Sequence, residues 1–344
     1  MYKKSCGLTI VLMIYAALTA CSGSGSIARS VTPPDWTLGE SSKYPAALYV
    51  TATGSAADPE AAKDRAMGNL SKVFEAHIIG STSTSSDTQS KVSSDREEVS
   101  SKQRLVQRIN IHSEQVLEGI QIAEQWQNTA DLTYYALAVI DRKHVGNILK
   151  DEIKRLDNDT EFELDAIGSQ KDDLKRVAAY QRIIDLQETR NNFQKILKVI
   201  DLKGFGVRPK WSLVELKAFA TSALEEIRIS VTVYPQGING LQQQIQVAMS
   251  HAGFPAVKAK ADYTLLAEVD LYDPEEKQGW YWQRGRLEIR LIDALSGVTR
   301  GGHSWDLKAS ATEKSQLLAR FKQAIDKSLR AELKGVLIDI ADAK

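Results

Sequence analysis

Residue types that carry covalent or metal chemistry are sparse in this sequence, and their spacing excludes the common catalytic motifs. The five histidines lie at least 32 positions apart, so no HExxH or HxH zinc motif is present. No GxSxG elbow and no glycine-rich phosphate loop occurs either. Both cysteines, Cys6 and Cys21, precede the body of the chain, which therefore cannot form an internal disulfide. We predict no enzyme activity, no cofactor, no metal site and no small-molecule substrate.

The charge balance disfavours nucleic acid as a partner. Lys and Arg together number 44, as do Asp and Glu, so the formal net charge at pH 7 is zero. Binding to a phosphate backbone without regard to sequence needs an excess of positive charge. With 344 residues, of which 43% are hydrophobic, the chain is instead long enough to bury a sizeable core and form two domains.

The first twenty residues have the pattern of a secretory signal peptide. Lys3 and Lys4 precede an apolar run at 8–20, which is shorter than the roughly 20 residues that a membrane span needs. Residues 21–34 are rich in Ser, Gly and Pro, a composition that predicts a flexible tether. We therefore predict that residues 1–20 are removed and that the tether connects Cys21 to folded domains.

The segment Leu18-Thr19-Ala20-Cys21 resembles the lipobox of bacterial lipoproteins. The resemblance implies that the Cys21 thiol receives a diacylglyceryl group and that the new amine is acylated, with palmitate as a typical chain. Two or three acyl chains anchor a protein stably, whereas one binds only marginally. Ser22 stands where an Asp would imply inner-membrane retention, so the resemblance implies an outer-membrane lipoprotein that faces the periplasm. The alternatives are a retained transmembrane leader and a freely secreted protein with an unpaired thiol.

The segment 35–157 is predicted to form a first α+β domain. Alternating residues at 47–53 predict a half-buried strand that Gly54 ends, and an apolar stripe after it predicts a helix. Apolar segments at 120–126 and 132–140 predict a hairpin whose second strand is central.

Two segments between this helix and the hairpin allow alternatives. Residues 81–101 contain nine Ser and three Thr among 21 positions, which is too polar for core. They are predicted to be either an exposed strand and loop or disordered. Residues 99–116 fit both helix and strand spacing, and helix is the preferred interpretation.

Several segments of the first domain are similar to the LPP-twenty-like family of bacterial envelope lipoproteins. They are Pro34-Asp35-Trp36, Tyr44-Pro45, Thr51-Ala52-Thr53-Gly54, Ala61-Ala62-Lys63-Asp64-Arg65-Ala66, Lys72-Val73-Phe74-Glu75 and the hairpin from Trp126 to Asp141-Arg142. The resemblance covers about a third of the chain. It implies an outer-membrane lipoprotein without known enzymatic activity, and some family members associate with flagellar basal structures. The long C-terminal extension departs from the short family members, so a flagellar role does not carry over directly.

The segment 158–206 is predicted to be a helical connector, with a break near 158–160. Apolar residues and one arginine recur there at alternating spacings of three and four, as in a coiled-coil seam. They are Ile183, Leu186, Arg190, Phe193, Leu197 and Ile200. The favoured interpretation is a helix pair within the chain, with 142–157 as the partner. The alternative is pairing between subunits through 170–200.

Residues 207–344 are predicted to form a second α+β domain with the element order β-α-β-β-β-α. The strands are predicted at 227–234, 263–271, 280–293 and 298–307. Thr312 is predicted to cap the last helix. The segments 261–266 and 287–297 resemble the periplasmic domain of penicillin-binding-protein activator and curli-secretion lipoproteins, which implies docking or assembly. The predicted fold class is thus α+β, with two α/β sandwich domains joined by a long helical connector.

One strand of the second domain carries the candidate interaction surface. Arg284, Arg286 and Arg290 alternate with apolar residues, which places them on one strand face together with Glu288. Trp280 and Trp282 lie beside them in the sequence and belong to the candidate surface. Arginine and aromatic residues concentrate at the energetic centres of interfaces. A solvated sheet face is the favoured interpretation, and a patch for an acidic partner is the alternative.

The favoured functional hypothesis is a non-catalytic structural or assembly lipoprotein of the outer membrane, associated with an appendage or a flagellum in one version. Its partner would be an envelope protein or a second copy of itself. The alternative is a periplasmic regulator that docks on a peptidoglycan synthase. An enzyme would require a deep cleft in which two or more of four residues converge. These are His77, His112, Asp141 and His144.

Overall fold

The computed structural model describes residues 32–86 and 119–343, except 236, 237, 239, 258 and 259, and it describes no side chains at 75–86. Within these ranges it contains six α-helices and eight β-strands in two sheets. The predicted α+β class is confirmed. The leader, most of the tether and the ambiguous segment 99–116 lie outside the described residues.

The contacts divide the chain into two compact units. The first unit contains the chain up to Leu149 together with Lys195–Gly206, and the second contains Lys150–Gln194 and Val207–Lys344. The limit between Gly206 and Val207 coincides with the predicted start of the second domain. The division after Leu149 differs from the predicted limit at 157, and most of the predicted connector belongs to the second unit.

The first unit is built on a three-stranded antiparallel sheet with the order β1-β3-β2. Its elements are β1 (Tyr49–Ala56), α1 (Pro59–Ser86), β2 (Gln121–Gln127) and β3 (Tyr134–Asp141). The predicted hairpin with a central second strand is confirmed. Helix α1 extends to Ser86, so the first six of the Ser/Thr-rich residues are helical rather than strand or loop. Each residue added to an existing helix gains a backbone hydrogen bond, which explains the extension.

Gly54 lies inside β1 and does not end it, contrary to the prediction. A Cβ atom at this position would lie 2.2 Å from the backbone nitrogen of Ala66 and 2.5 Å from the carbonyl oxygen of Ala62. Glycine is therefore needed here for the close approach of α1 to the sheet rather than for a turn.

Residues 142–200 form two long helices, α2 (Arg142–Ser169) and α3 (Asp173–Ile200). The break predicted near 158–160 is wrong, because α2 continues through it and the chain turns at 170–172. Asp157 accepts a hydrogen bond from Nε of Arg190 at 2.9 Å, and Thr160 Oγ1 accepts one from Gln187 Nε2 at 2.8 Å. These polar residues of α2 are satisfied by α3, so they do not interrupt the helix.

The predicted seam on α3 is used within the chain. Five of its six residues are buried, namely Ile183, Arg190, Phe193, Leu197 and Ile200, and Leu186 is half-buried. The Arg190 guanidinium also donates to the carbonyl oxygens of Val207 and Arg208, each at 3.2 Å. The interpretation as an intrachain helix pair is confirmed.

The second unit contains a five-stranded sheet and three further helices. Its elements are α4 (Leu213–Glu226), β4 (Ile229–Tyr234), α5 (Leu241–Ala252), β5 (Tyr263–Leu271), β6 (Glu275–Lys277), β7 (Trp280–Asp293), β8 (Thr299–Ala311) and α6 (Leu317–Asp342). The predicted order is confirmed, and α4 and β6 are additions to it. Thr312 does not cap α6, because a 3-10 turn at Lys314–Gln316 precedes that helix.

In this sheet β4 is parallel to β5, whereas β7 is antiparallel to β5, β6 and β8. One face packs against α5 and α6 and forms the main core, in which Leu287, Ile289 and Leu291 are fully buried. At Gly285 a Cβ atom would lie 2.9 Å from the Phe321 ring, so α6 presses closely on β7 there. The other face carries the predicted interaction surface.

Candidate functional site

The predicted lipid attachment residue, Cys21, lies outside the described residues and stays a prediction. His112 and the side chain of His77 do so as well. Asp141 ends β3 directly before α2, and its Oδ1 accepts a hydrogen bond from the backbone nitrogen of His144 at 2.9 Å. This contact is a helix N-cap and accounts for the carboxylate without any catalytic role. Within the described ranges, no group of three or more His, Cys, Asp and Glu residues could hold a metal ion.

The structure brings the five residues of the predicted interaction surface to one face of β7. Trp280, Arg284 and Arg286 are exposed there, and Trp282 and Arg290 are half-buried. Residues on neighbouring strands point to the same side. We call this surface the open face, and it comprises Glu268 and Asp270 of β5, Trp282, Arg284, Arg286, Glu288 and Arg290 of β7, and Ser304, Asp306, Lys308 and Ser310 of β8.

Each arginine of the open face has a carboxylate partner. The pairs are Arg284 with Glu275 at 3.1 Å, Arg286 with Asp306 at 2.9 Å, and Arg290 with Glu268 at 2.6 Å. The hydrogen bond with Asp306 raises the pKa of Arg286 above its ordinary value. Because the cations are already paired, the geometry favours a solvated sheet face over a patch for an acidic partner.

An aromatic contact extends the surface from β7 to β8. The Lys308 ammonium lies 4.1 Å from the centre of the Trp282 ring, within the range of a cation–π interaction. The sequence analysis missed Lys308 and Asp306. Their spacing of two along a predicted strand could have placed them on one face, but the register against β7 shifts between Leu291 and Ile292 and is not visible in the sequence.

Arg142 is a second residue whose role the sequence analysis missed. Its Nε donates to the carbonyl oxygen of Ala46 at 2.8 Å, and one terminal nitrogen donates to those of Val199 and Ile200, both at 2.8 Å. The guanidinium therefore joins the start of β1 to the last carbonyls of α3, where a cation also complements the helix dipole. Desolvation by burial lowers the pKa of Arg142 from its ordinary value.

The residues before β1 form a hydrogen-bonded cluster with β2 in the first unit. Trp36 is buried, and its indole nitrogen donates to Glu124 Oε2 at 2.7 Å, while Lys43 contacts the other oxygen at 2.8 Å. Asp35 accepts hydrogen bonds from the Trp36 backbone and from Ser42, and the bonds from Ser42 lower the pKa of Asp35. These contacts connect the residues before β1 to β2 and stabilise the first unit.

The family model for LPP20 lipoproteins matches residues 34–141, the segment that runs from this cluster to the end of β3. Residues 34–141 are therefore similar to LPP20 lipoproteins. The resemblance predicted from the sequence is thereby confirmed. The LPP20 family is a lipoprotein family without known catalytic activity, and the match supports a bacterial lipoprotein held at a membrane of the cell envelope. Among the described helices, none has the length and apolarity to span a bilayer.

Several solved structures are similar to this chain at low identity. The secreted protein HP1454 from Helicobacter pylori is 13% identical, with a TM-score of 0.41 and coverage of 86% of this chain and 98% of that one. Lipoprotein GNA1162 from Neisseria meningitidis is 13% identical, with a TM-score of 0.24 over 33% of this chain and 99% of that one. A minor lipoprotein from Acinetobacter baumannii is 12% identical, with a TM-score of 0.25 over 33% and 90%. No curated protein sequence matches the chain.

Proposed function

We propose that this protein is a lipid-anchored, non-catalytic structural or assembly component of the outer membrane, with its folded units in the periplasm. The observation that carries the proposal is the segment similar to LPP20 lipoproteins at 34–141, which follows a short polar tether from Cys21. Lipid chains on Cys21 would anchor this segment to the membrane without a spanning helix.

The use of polar residues in the described units supports a non-catalytic role. Arg142 and Glu124 bond to backbone or to packing residues, and Arg190 is enclosed between two helices with Asp157. Active sites keep some charged groups available in a cleft, whereas these charges stabilise the fold. The open face offers a surface for a protein partner, because it is broad and carries both signs of charge.

Metabolic labelling with palmitate tests the anchor. The parent protein is expected to incorporate the label, and the Cys21→Ala variant is expected to lose it. Mass spectrometry of the N-terminal peptide should show acyl chains on residue 21. An unlabelled parent with a bare thiol would refute the anchor. Ser22→Asp tests the location, because it is expected to move the protein to the inner membrane, whereas Ser22→Ala should not.

Affinity capture of the full-length protein, solubilised from membranes in detergent, tests the assembly role. Recovery of appendage proteins or of a differently tagged second copy supports assembly. Recovery of peptidoglycan synthases instead would favour a regulator that docks on such an enzyme. Capture by a variant in which open-face residues are replaced, such as Trp280→Ala with Arg284→Ala, shows whether this surface contacts the partner.

A further inference from the structure

The outer edge of β8 has no strand partner in the described part of the chain. β8 is 13 residues long, and its ladder pairs it with β7 along one side only. The opposite edge of the same sheet is different. There β4 has only six residues, and Ile229 at its start exchanges hydrogen bonds with Pro255 and Val257. The long edge of this sheet is therefore the unpaired one.

Apart from the charges of Asp306 and Lys308, the described part of β8 has few of the features that protect edge strands against pairing. Natural edge strands are short, are bent by bulges or place charged residues on the inner face of the sheet. From Ser304 to the end of β8 the inner residues are Trp305, Leu307, Ala309 and Ala311, all buried and none charged. The only register shift in the ladder lies at its beginning, before Gly301, so the remainder of the strand is regular.

We propose that β8 pairs antiparallel with β8 of a second copy of this chain, about a two-fold axis at Leu307, so that the two sheets become one. In this register Asp306 of each copy lies opposite Lys308 of the other, and the charge pair therefore occurs twice. Ser304 lies opposite Ser310 on the same outer face. Cross-strand pairs of opposite charge stabilise such ladders.

The charge pattern selects this register over its neighbours. An axis at Asp306 places two carboxylates face to face, and an axis at Ser304 places Arg300 opposite Lys308. An axis at Trp305 leaves Asp306 and Lys308 opposite uncharged residues. A shift by one residue on one copy reverses the inner and outer faces, which would expose Leu307 and its neighbours.

A two-fold axis at His303 also pairs opposite charges, because it places Arg300 opposite Asp306. Arg300 lies at the register shift, and this register would pair fewer regular residues. The axis at Leu307 uses the regular part of the strand on both sides. This pairing would be the self-association that the proposed function includes as an alternative. It rests on the edge of the second sheet and not on the lipid anchor.

Disulfide cross-linking in intact cells tests the pairing. The variant with Ser304→Cys and Ser310→Cys is expected to give a dimer of twice the mass on a non-reducing gel, since each new cysteine faces its counterpart across the axis. The two positions are six residues apart, about 20 Å along one strand, so they cannot bond within a chain. The single variants and the parent are matched controls, because they reveal any cross-link through Cys21. A double variant that gives no more dimer than the single variants would overturn the proposal.

A charge exchange provides a second test without cysteines. Asp306→Lys and Lys308→Asp are each expected to weaken the dimer of the detergent-solubilised full-length protein by about tenfold, because each places like charges opposite one another. The double exchange restores opposite pairs and should recover the parent affinity in sedimentation. Thermal unfolding of each variant reports whether the monomer is intact. Equal weakening by the double exchange would contradict the register.

These measurements separate the pairing from the proposed function. Palmitate labelling reports the anchor, whereas cross-linking reports the β8 edge. A labelled protein that forms no dimer would refute only the pairing, and an unlabelled protein that forms the dimer would refute only the anchor.

Discussion

The two sheets of this protein differ in how many of their faces are covered. In the first unit α1 packs on one face of the sheet at Gly54, and a cluster that contains Trp36 and Trp126 covers the other. Both faces of its central strand β3 are consequently buried. In the second unit α5 and α6 cover one face, and the other carries the ion pairs of the open face.

The covered faces of the first sheet stabilise the fold, whereas the open face of the second sheet is exposed to solvent. Trp36 lies within the residues that match the LPP20 family model and is buried in the core of the first unit. Nothing in the described second unit covers the open face or the outer edge of β8. The family match lies in the first unit, whereas the surfaces proposed for partners lie in the second.

The largest loss of stability is expected from truncating a buried side chain that covers the first sheet. Trp36→Ala deletes a side chain that is only 2% exposed together with its hydrogen bond to Glu124, and we expect it to lower the free energy of unfolding by about 3–5 kcal/mol. Trp280→Ala is the matched control on the open face, where the indole is 46% exposed, and should have a much smaller effect. Urea denaturation measures the change in the free energy of unfolding for both variants. Equal changes would show that Trp280 is packed as tightly as Trp36 and would contradict an exposed open face.

Adding a methyl group at the contact between helix and sheet has the next largest expected effect. Gly54→Ala forces α1 and β1 apart, and we expect a loss of about 1–3 kcal/mol, as for other overpacked contacts. Gly68→Ala is the control, because it lies on α1 with no atom near the added carbon and should stabilise the helix by about 0.5–1 kcal/mol. Thermal unfolding of both variants decides the point, and a neutral Gly54→Ala would contradict the close packing.

The smallest effect is expected on the open face itself. Arg286→Ala removes the ion pair with Asp306 at an exposed position, so the midpoint of thermal unfolding should stay nearly unchanged. The small difference from the parent should shrink further in 1 M salt, because screening weakens exposed pairs. A large decrease in the midpoint that does not change with salt would mean that the pair of Arg286 and Asp306 stabilises the fold as a buried contact does.

Much of the fold could be predicted from hydrophobic periodicity. The near-continuous apolar run of β3 and the alternation of β7 predict a buried strand and a half-exposed strand, and both predictions are confirmed. Patterns with polar residues were less informative. Gly54 resembles a strand end in sequence, and residues 158–160 resemble a helix break, because the partners that explain them are distant along the chain.

The candidate site shows the same division. The placement of the β7 arginines on one face follows from the two-residue period of a strand, which is a local property of the backbone. Their pairing with carboxylates of β5 and β8 depends on strand register, and the register includes an irregularity that no residue type announces. Because these carboxylates already neutralise the arginines, the surface offers less positive charge to an acidic partner than the sequence alone indicates.

Composition, short motifs and periodicity were sufficient for the α+β class and for the similarity of residues 34–141 to LPP20 lipoproteins, and they predict a leader that ends before Cys21. The pairing of charges, the partner of α3 within the chain and the position of β8 as an edge strand among the described residues are known only from the folded structure. Such properties arise from contacts between residues far apart in the chain, and local physical chemistry does not specify them.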